Sequence, residues 1–400
     1  MAETRARLCA SIVCTIRPAR AAASGLGEGV SARAAALGLG VAAPGLGVAA
    51  PGVVVATARV AGLGVALFVA APLLAGDPIT VSRDGPVLDK WNYPFNQTVG
   101  TKPEMKIFGA FTSTGLSPDF DNRDGQGLFA FDTAASLPTC LPPSGYVILS
   151  ATVTVQIESD LTFRYDPTLD AWQTYLHVDD AAHVPDADAG RPLELFGAAF
   201  RHGFTRLTYL ENTPYSAVST FGKFVRSAYP LAFDPAAGGA SIDVSNSVDQ
   251  QFDAAPFAIG TTTAVAPGAL VPQLATFEFS IDVGDAAIQQ YLGESLRDGR
   301  LFFAIASMFD ASEQTGGTFP EIFTKENPAV GAGLAFAARL EMLVDVTGKP
   351  GDSDGNDVIN VTDLLALLAD WGGCTGCPSD TNCDGQVNVT DLLALLAAWG

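Results

Sequence analysis

Basic residues are scarce in this chain: 22 Lys and Arg stand against 43 Asp and Glu, a formal net charge of −21. Phosphate backbones need clustered Lys and Arg, so the balance argues against a nucleic-acid partner. Histidine is scarcer still, and His177, His183 and His202 show no metal spacing such as His-Glu-x-x-His. Gly-x-Ser-x-Gly is absent, which removes the nucleophile elbow of one hydrolase class. The apolar run at residues 60–75 is too short for a comfortable membrane span. Cysteine numbers six. Cys374 and Cys377 form a Cys-x-x-Cys run with no His nearby and no fourth ligand, which disfavours Zn²⁺. A local disulfide of Cys374 or Cys377 with Cys383 is expected, in an oxidising compartment. Cys140 stands alone in a Pro-rich loop and is expected to be inert, and Cys9 and Cys14 fall in a segment expected to be removed.

What is abundant points to a loop-rich β protein: 48% hydrophobic residues with 41 Gly and 25 Pro. The length allows two to three domains. Residues 1–58 are low-complexity, with a tandem Gly38-Leu-Gly-Val-Ala-Ala-Pro44 and Gly45-Leu-Gly-Val-Ala-Ala-Pro51. Arg59, the apolar run and the small residue Gly76 read as a secretory signal over residues 59–76. That implies a secreted or cell-surface location. The signal lies far from Met1, so the native start is expected near residues 54–65, with residues 1–58 missing from the mature protein. Any peptide from residues 1–50 recovered by mass spectrometry of the native protein would defeat that expectation.

Residues 77–346 have mostly period two, the pattern of half-buried strands. Val153, Val155 and Ile157 alternate with polar residues, as do Phe277, Phe279, Ile281 and Val283, then Leu340, Met342 and Val344. Residues 301–307 are apolar almost throughout and predict a central strand. One helix is expected, with Asp285 as N-cap, Ile288, Leu292 and Leu296 on one face, and Gly299 as the stop. The fold class expected is mainly β: a jelly-roll-like β-sandwich with one short helix.

Candidate sites in this body are few. Trp91, Tyr93, Trp172 and Tyr175 sit in polar, loop-like contexts and are the candidate sugar-stacking rings. The turn Asp119-Phe-Asp121-Asn122-Arg-Asp124-Gly125 has oxygens spaced for a third Ca²⁺, although an ordinary Asp/Asn/Gly turn is the favoured reading. Carboxylates are plentiful, yet none is singled out as a glycosidase pair.

The C-terminus holds one pattern twice, 28 residues apart. Asp352, Asp354, Asn356, Val358, Asn360 and Asp363 occupy positions 1, 3, 5, 7, 9 and 12 of one loop. Asp380, Asn382, Asp384, Gln386, Asn388 and Asp391 occupy them in the other. Those positions supply oxygens to Ca²⁺, position 7 through its carbonyl, so two Ca²⁺ sites are expected. Position 6 needs φ > 0 and holds Asp357 and Gly385, which predicts a weaker first site. Ile359 and Val387 at position 8 are expected to pair in a short β-bridge. Each loop runs into a leucine-rich helix that closes on Trp-Gly.

This duplicated loop and helix, residues 352–400, resembles a type I dockerin, in the Cys-containing variant seen at the ends of many planctomycete surface proteins. The resemblance implies a small all-α, EF-hand-like domain after a linker at 347–351. It implies docking to a cohesin-like or cell-surface receptor, with Val361, Thr362, Val389 and Thr390 at positions 10 and 11 reading the partner. In the body, Gly125-Gln-Gly-Leu-Phe-Ala-Phe-Asp132 with Leu137-Pro138, then residues 146–155, 285–303, 320–326 and 338–344, resemble the DNRLRE-type β-sandwich modules. Some of those bind carbohydrate, and the resemblance makes residues 159–270 an insertion. Together these imply a secreted, non-catalytic anchored protein with polysaccharide as a candidate ligand. The alternatives are a glycoside hydrolase or lyase delivered by the tail, and a purely structural extracellular protein.

Overall fold

The computed structural model describes residues 77–234, 237–312, 316–374 and 377–400. The low-complexity segment, the export signal, Cys9 and Cys14 lie outside the described residues.

The described chain is mainly β, and its strands pair almost entirely antiparallel. The alternating segments form a four-stranded sheet in the order Ile79–Arg83, Arg339–Val346, Tyr146–Gln156, Thr276–Ser280. Its register sets Val153 opposite Phe279 and Leu340, and Val155 opposite Phe277. One face is therefore apolar, and a one-residue slip would turn that whole set to solvent.

The larger sheet runs Ala240–Asp243, Ala228–Asp234, Glu194–Phe200, Arg300–Ala306, Arg123–Asp132, Phe108–Thr112 along its main path. Arg300–Ala306 is flanked by strands on both sides, as its continuous apolar run requires. Leu301, Phe303 and Ile305 enter the same core as Val153, Phe277 and Phe279 of the smaller sheet. Phe302, Ala304 and Ala306 enter a second core on the opposite face. Each buried Phe contributes about 2–3 kcal/mol of transfer free energy.

Tyr209, Val244 and Ala254 close that second core. They belong to residues 159–270, which also supply three strands of the large sheet's main path. The segment expected as an insertion is therefore integral to the body, because without it the outer face of the sheet would be bare.

The expected helix is Ala286–Arg297. Asp285 caps it, accepting from the N–H groups of Ala287 (2.7 Å) and Ile288 (3.1 Å). Ile288, Leu292 and Leu296 are buried, and Gly299 takes φ +73° beyond its end. No helix among the described residues is long and apolar enough to cross a membrane.

In the tail, Val361–Ala369 and Val389–Ala397 are helices of identical sequence. Val387 pairs in a two-stranded ladder with Gly372, not with Ile359. Gly372 follows the first helix directly, and the Cys374 N–H donates to the Gly385 carbonyl at 2.9 Å. Ile359 and Val387 meet instead as side chains in a small core with Leu367 and Leu395.

The disulfides also differ from expectation. Cys374 joins Cys377, and Cys383 joins Cys140, 243 residues away. Folding brings the Pro-rich loop of Cys140 beside the second tail loop, with the two Cα atoms 5.6 Å apart. The segment 347–351 is pinned as well: the Thr347 and Gly348 N–H groups donate to the Gly145 carbonyl at 3.0 and 3.2 Å.

Candidate metal centre

Each tail loop wraps its backbone N–H groups around two buried carboxylates. In the first, Asp352 accepts from Gly355 (2.9 Å), Asn356 (3.1 Å) and Asp357 (2.7 Å). Asp363 accepts from Ser353 (2.8 Å) and Asn360 (2.9 Å). In the second, Asp380 accepts from Asp384 (3.2 Å) and Gly385 (2.9 Å), and Asp391 from Thr381 and Asn388, both at 2.9 Å. Asp357 and Gly385 take φ +65° and +83°, so the turn at position 6 has the same handedness in both loops.

The carboxylates at position 12 hold two structures together. Asp363 and Asp391 each close a capping box with the Asn at position 9, whose side chain accepts from the Thr362 or Thr390 N–H at 2.8 Å. The loop and the first helical turn are therefore one hydrogen-bonded unit. Capping alone accounts for these two Asp residues but not for the rest of the set.

One oxygen from each of Asp352, Asp354 and Asp363 lies within 4.8 Å of the others. Ligands on opposite sides of a Ca²⁺ ion stand about 4.6–5.2 Å apart, twice the usual Ca–O distance. Among the described residues, no Lys or Arg forms an ion pair with any loop carboxylate. The donors are all oxygen, which suits a hard cation and not Zn²⁺. The residues present therefore fit Ca²⁺. The second loop carries Asn382 where the first has Asp354, and Asp384 where the first has Asn356.

Val361, Thr362, Val389 and Thr390 are exposed. Each Val heads an exposed apolar stripe: Val361, Leu365, Leu368, Trp371, and Val389, Leu393, Leu396, Trp399. Leu365 is 62% exposed and Leu393 61%, whereas Leu367 and Leu395 are fully buried. The spacing shows an apolar helix but not which of its faces the neighbouring helix covers.

The other candidates resolve differently. The acidic turn at residues 119–125 is a buried ion-pair node. Asp121 accepts from Arg226 Nε (2.5 Å), the Phe224 N–H (3.0 Å) and Asn246 (2.5 Å), and Asp124 lies 3.3 Å from the same guanidinium. Tyr93 and Tyr175 are buried. Trp91 stacks on Tyr93 at 4.3 Å against the main core, and Trp172 packs on Tyr175, Val248 and Met308. All four rings are thus engaged in packing. His183 and His202 contact the Leu176 and Val225 carbonyls, and His177 lies 3.5 Å from Asp179.

An exposed aromatic cluster escaped the sequence reading. Phe95, Phe120 and Phe221 have ring centroids 5.6–6.0 Å apart, and Phe95 and Phe221 are exposed. Only the fold brings these three positions together. A cavity of about 590 Å³ lies elsewhere, lined by Phe200, Phe204, Arg206, Phe233 and Glu294. No family model matches this chain, and no curated protein matches it.

Proposed function

We propose that this is an exported, non-catalytic surface protein whose C-terminal tail is a two-site, Ca²⁺-dependent docking module of dockerin type. The observation that carries the reading is the duplication itself. Two loops bury the same carboxylates without an internal cation, and each leads into a helix with an exposed Val-Leu-Leu-Trp stripe. The two disulfides favour an oxidising, extracellular setting. The body is a jelly-roll-like β-sandwich, a reading supported by the core its two sheets share. Its proposed ligand is glycan, supported by the Phe95, Phe120 and Phe221 cluster, since sugar C–H faces stack on exposed rings.

Bound Ca²⁺ supplies the positive charge that the clustered carboxylates lack. Asp352 and Asp380 gather the loop N–H groups, and Asp363 and Asp391 tie each loop to the start of its helix. An ordered loop therefore fixes where the helix begins and which face it presents. A cohesin-like or cell-surface receptor would seat on the stripes, with Thr362 and Thr390 beside them. Because the helices are identical, either copy can lead.

Isothermal titration calorimetry of the folded chain with CaCl₂ tests the metal. Heat from two tail sites is expected, lost when Asp363→Asn and Asp391→Asn are combined; no such loss sinks the reading. An immobilised type I cohesin tests docking. Retention in Ca²⁺ and release in EDTA are expected, with Leu365→Asp or Leu393→Asp alone leaving one binding orientation and the pair leaving none.

A further inference from the structure

Three acidic clusters among the described residues bring carboxylate oxygens within 4.8 Å of one another. One is the first tail loop. The second, Asp89, Glu211 and Glu326, already holds a cation: Lys325 Nζ lies 2.8, 2.6 and 3.1 Å from the three carboxylates. The third is Asp166, Asp170 and Asp188, in the body.

The third cluster is built from two short stretches, Asp166-Pro-Thr168-Leu-Asp170 and Asp186-Ala-Asp188, which put oxygens on alternate residues. Thr168 Oγ1 joins them, donating to Asp166 Oδ1 (2.7 Å) and lying 2.9 Å from Asp188 Oδ2. Arg191 is the local cation, and its Nη1 is occupied by Asp170 (2.9 Å) and Asp186 (2.7 Å). The guanidinium therefore pairs with two of the four carboxylates, Asp170 and Asp186. Asp166 is only 2% exposed, and its Oδ2 is buried with no hydrogen-bond partner. A buried carboxylate oxygen without a donor is costly, unless a ligand completes it.

We propose that Asp166, Asp170 and Asp188, with Thr168 beside them, form a third divalent-cation site in the body, independent of the tail, whose all-oxygen donors suit Ca²⁺. The donors are all oxygen, as in the first tail loop, and the orphan Asp166 oxygen gains a partner. The ion would tie together the two stretches beneath the loops that carry Trp172 and Tyr175, whose hydroxyl already lies 3.2 Å from Asp170.

The test counts ions on the folded chain, by equilibrium dialysis with ⁴⁵Ca²⁺ and by native mass spectrometry. Asp166→Asn combined with Asp188→Asn is expected to lose one bound Ca²⁺ relative to the parent chain. Asp363→Asn combined with Asp391→Asn is expected to lose the tail ions and keep one. If the body variant binds as many ions as the parent, the site is overturned and Arg191 alone balances the cluster. Asp188 is exposed, so Asp188→Asn alone keeps the fold, and it should weaken one class of sites at least ~10-fold. Unchanged affinities there overturn the site as well. If the tail binds nothing and one body ion remains, the docking proposal fails and this one stands.

Discussion

Two Asp-rich turns in this chain look alike as sequence and behave as opposites. Residues 119–125 bury Asp121 and Asp124 against Arg226, a cation more than 100 residues away in the chain. The tail loops bury Asp352, Asp363, Asp380 and Asp391 among backbone N–H groups, with the Thr381 hydroxyl also donating to Asp391 at 3.0 Å. The first turn is neutralised by the fold, whereas among the described residues the tail loops have no Lys or Arg paired with their carboxylates. What an acidic turn does is therefore decided by its long-range partner as much as by its own spacing.

The sharpest break of that contrast is Arg226→Met. It strands two buried carboxylates and should cost about 3–5 kcal/mol, or prevent folding at neutral pH. Denaturant unfolding in Ca²⁺ and in EDTA should give the same loss, because this node has no use for the ion. A rescue by Ca²⁺ would mean the two turns are not opposites.

Next comes the link between the regions. Cys140→Ser opens a closure spanning 243 residues, and by loop-closure entropy it should cost about 2–5 kcal/mol. Calorimetry should then show the tail melting apart from the body. Cys374→Ser opens a closure spanning only three residues and should leave a single transition. Equal effects would show that Cys140–Cys383 does not couple the two.

The body also has a buried charge of the opposite sign, solved in a third way. Lys90 is buried, donates to the Thr213 carbonyl at 2.5 Å and lies 4.9 Å from the Tyr209 ring centroid. Burial pushes its pKa down to about 7, with Glu211 pulling weakly the other way. Between about 7 and the ordinary value of 10.5, the unfolded chain holds a proton that the folded chain has shed. Stability from this group therefore rises with pH across that window, and its cost is full below pH 7. From pH 7 to 9 the gain should be about 2 kcal/mol. Lys90→Met should flatten the slope of melting temperature against pH over that range; an unchanged slope would clear Lys90.

Much of the scaffold was legible because its signals are local. Alternation at 146–157, 276–283 and 339–346 places the strands, and Asp285 with Gly299 brackets the helix. The repeat at 352–400 announces two loops and two helices through contiguous spacing. What was illegible depends on distant pairs. Nothing near Cys140 names Cys383, and nothing near Asp121 names Arg226. Phe95, Phe120 and Phe221 sit on three separate segments. Which leucines of the tail helices are covered was not legible, because periodicity reports an apolar face without reporting what lies against it. Residues 159–270 read as an excursion because the resemblance covers only the stretches on either side of them, and their strands pair mostly with one another, joining the rest of the large sheet through the pairing of Glu194–Phe200 with Arg300–Ala306.

The smallest expected effect compares the two tail loops with each other. Asn360 and Asn388 are both N-caps, and Asn to Ala at such a position costs about 1 kcal/mol. If capping were their whole role, Asn360→Ala and Asn388→Ala would lower helix content equally with and without Ca²⁺. In the proposed Ca²⁺ sites position 9 would also reach the ion, often through water, so each substitution should cost more in Ca²⁺ than in EDTA. The loops are not equivalent, however. The second is held to the body through Cys383, between Asn382 and Asp384, and the first has no such anchor. A pre-ordered loop loses less entropy on closing around an ion, so Asn388→Ala should show the smaller Ca²⁺-dependent part. Far-UV circular dichroism across a Ca²⁺ titration of both variants reads the difference. It should shrink once Cys140→Ser is added, because the tether is then lost and only the loops' own residues, such as Asp357 against Gly385 at position 6, still distinguish them.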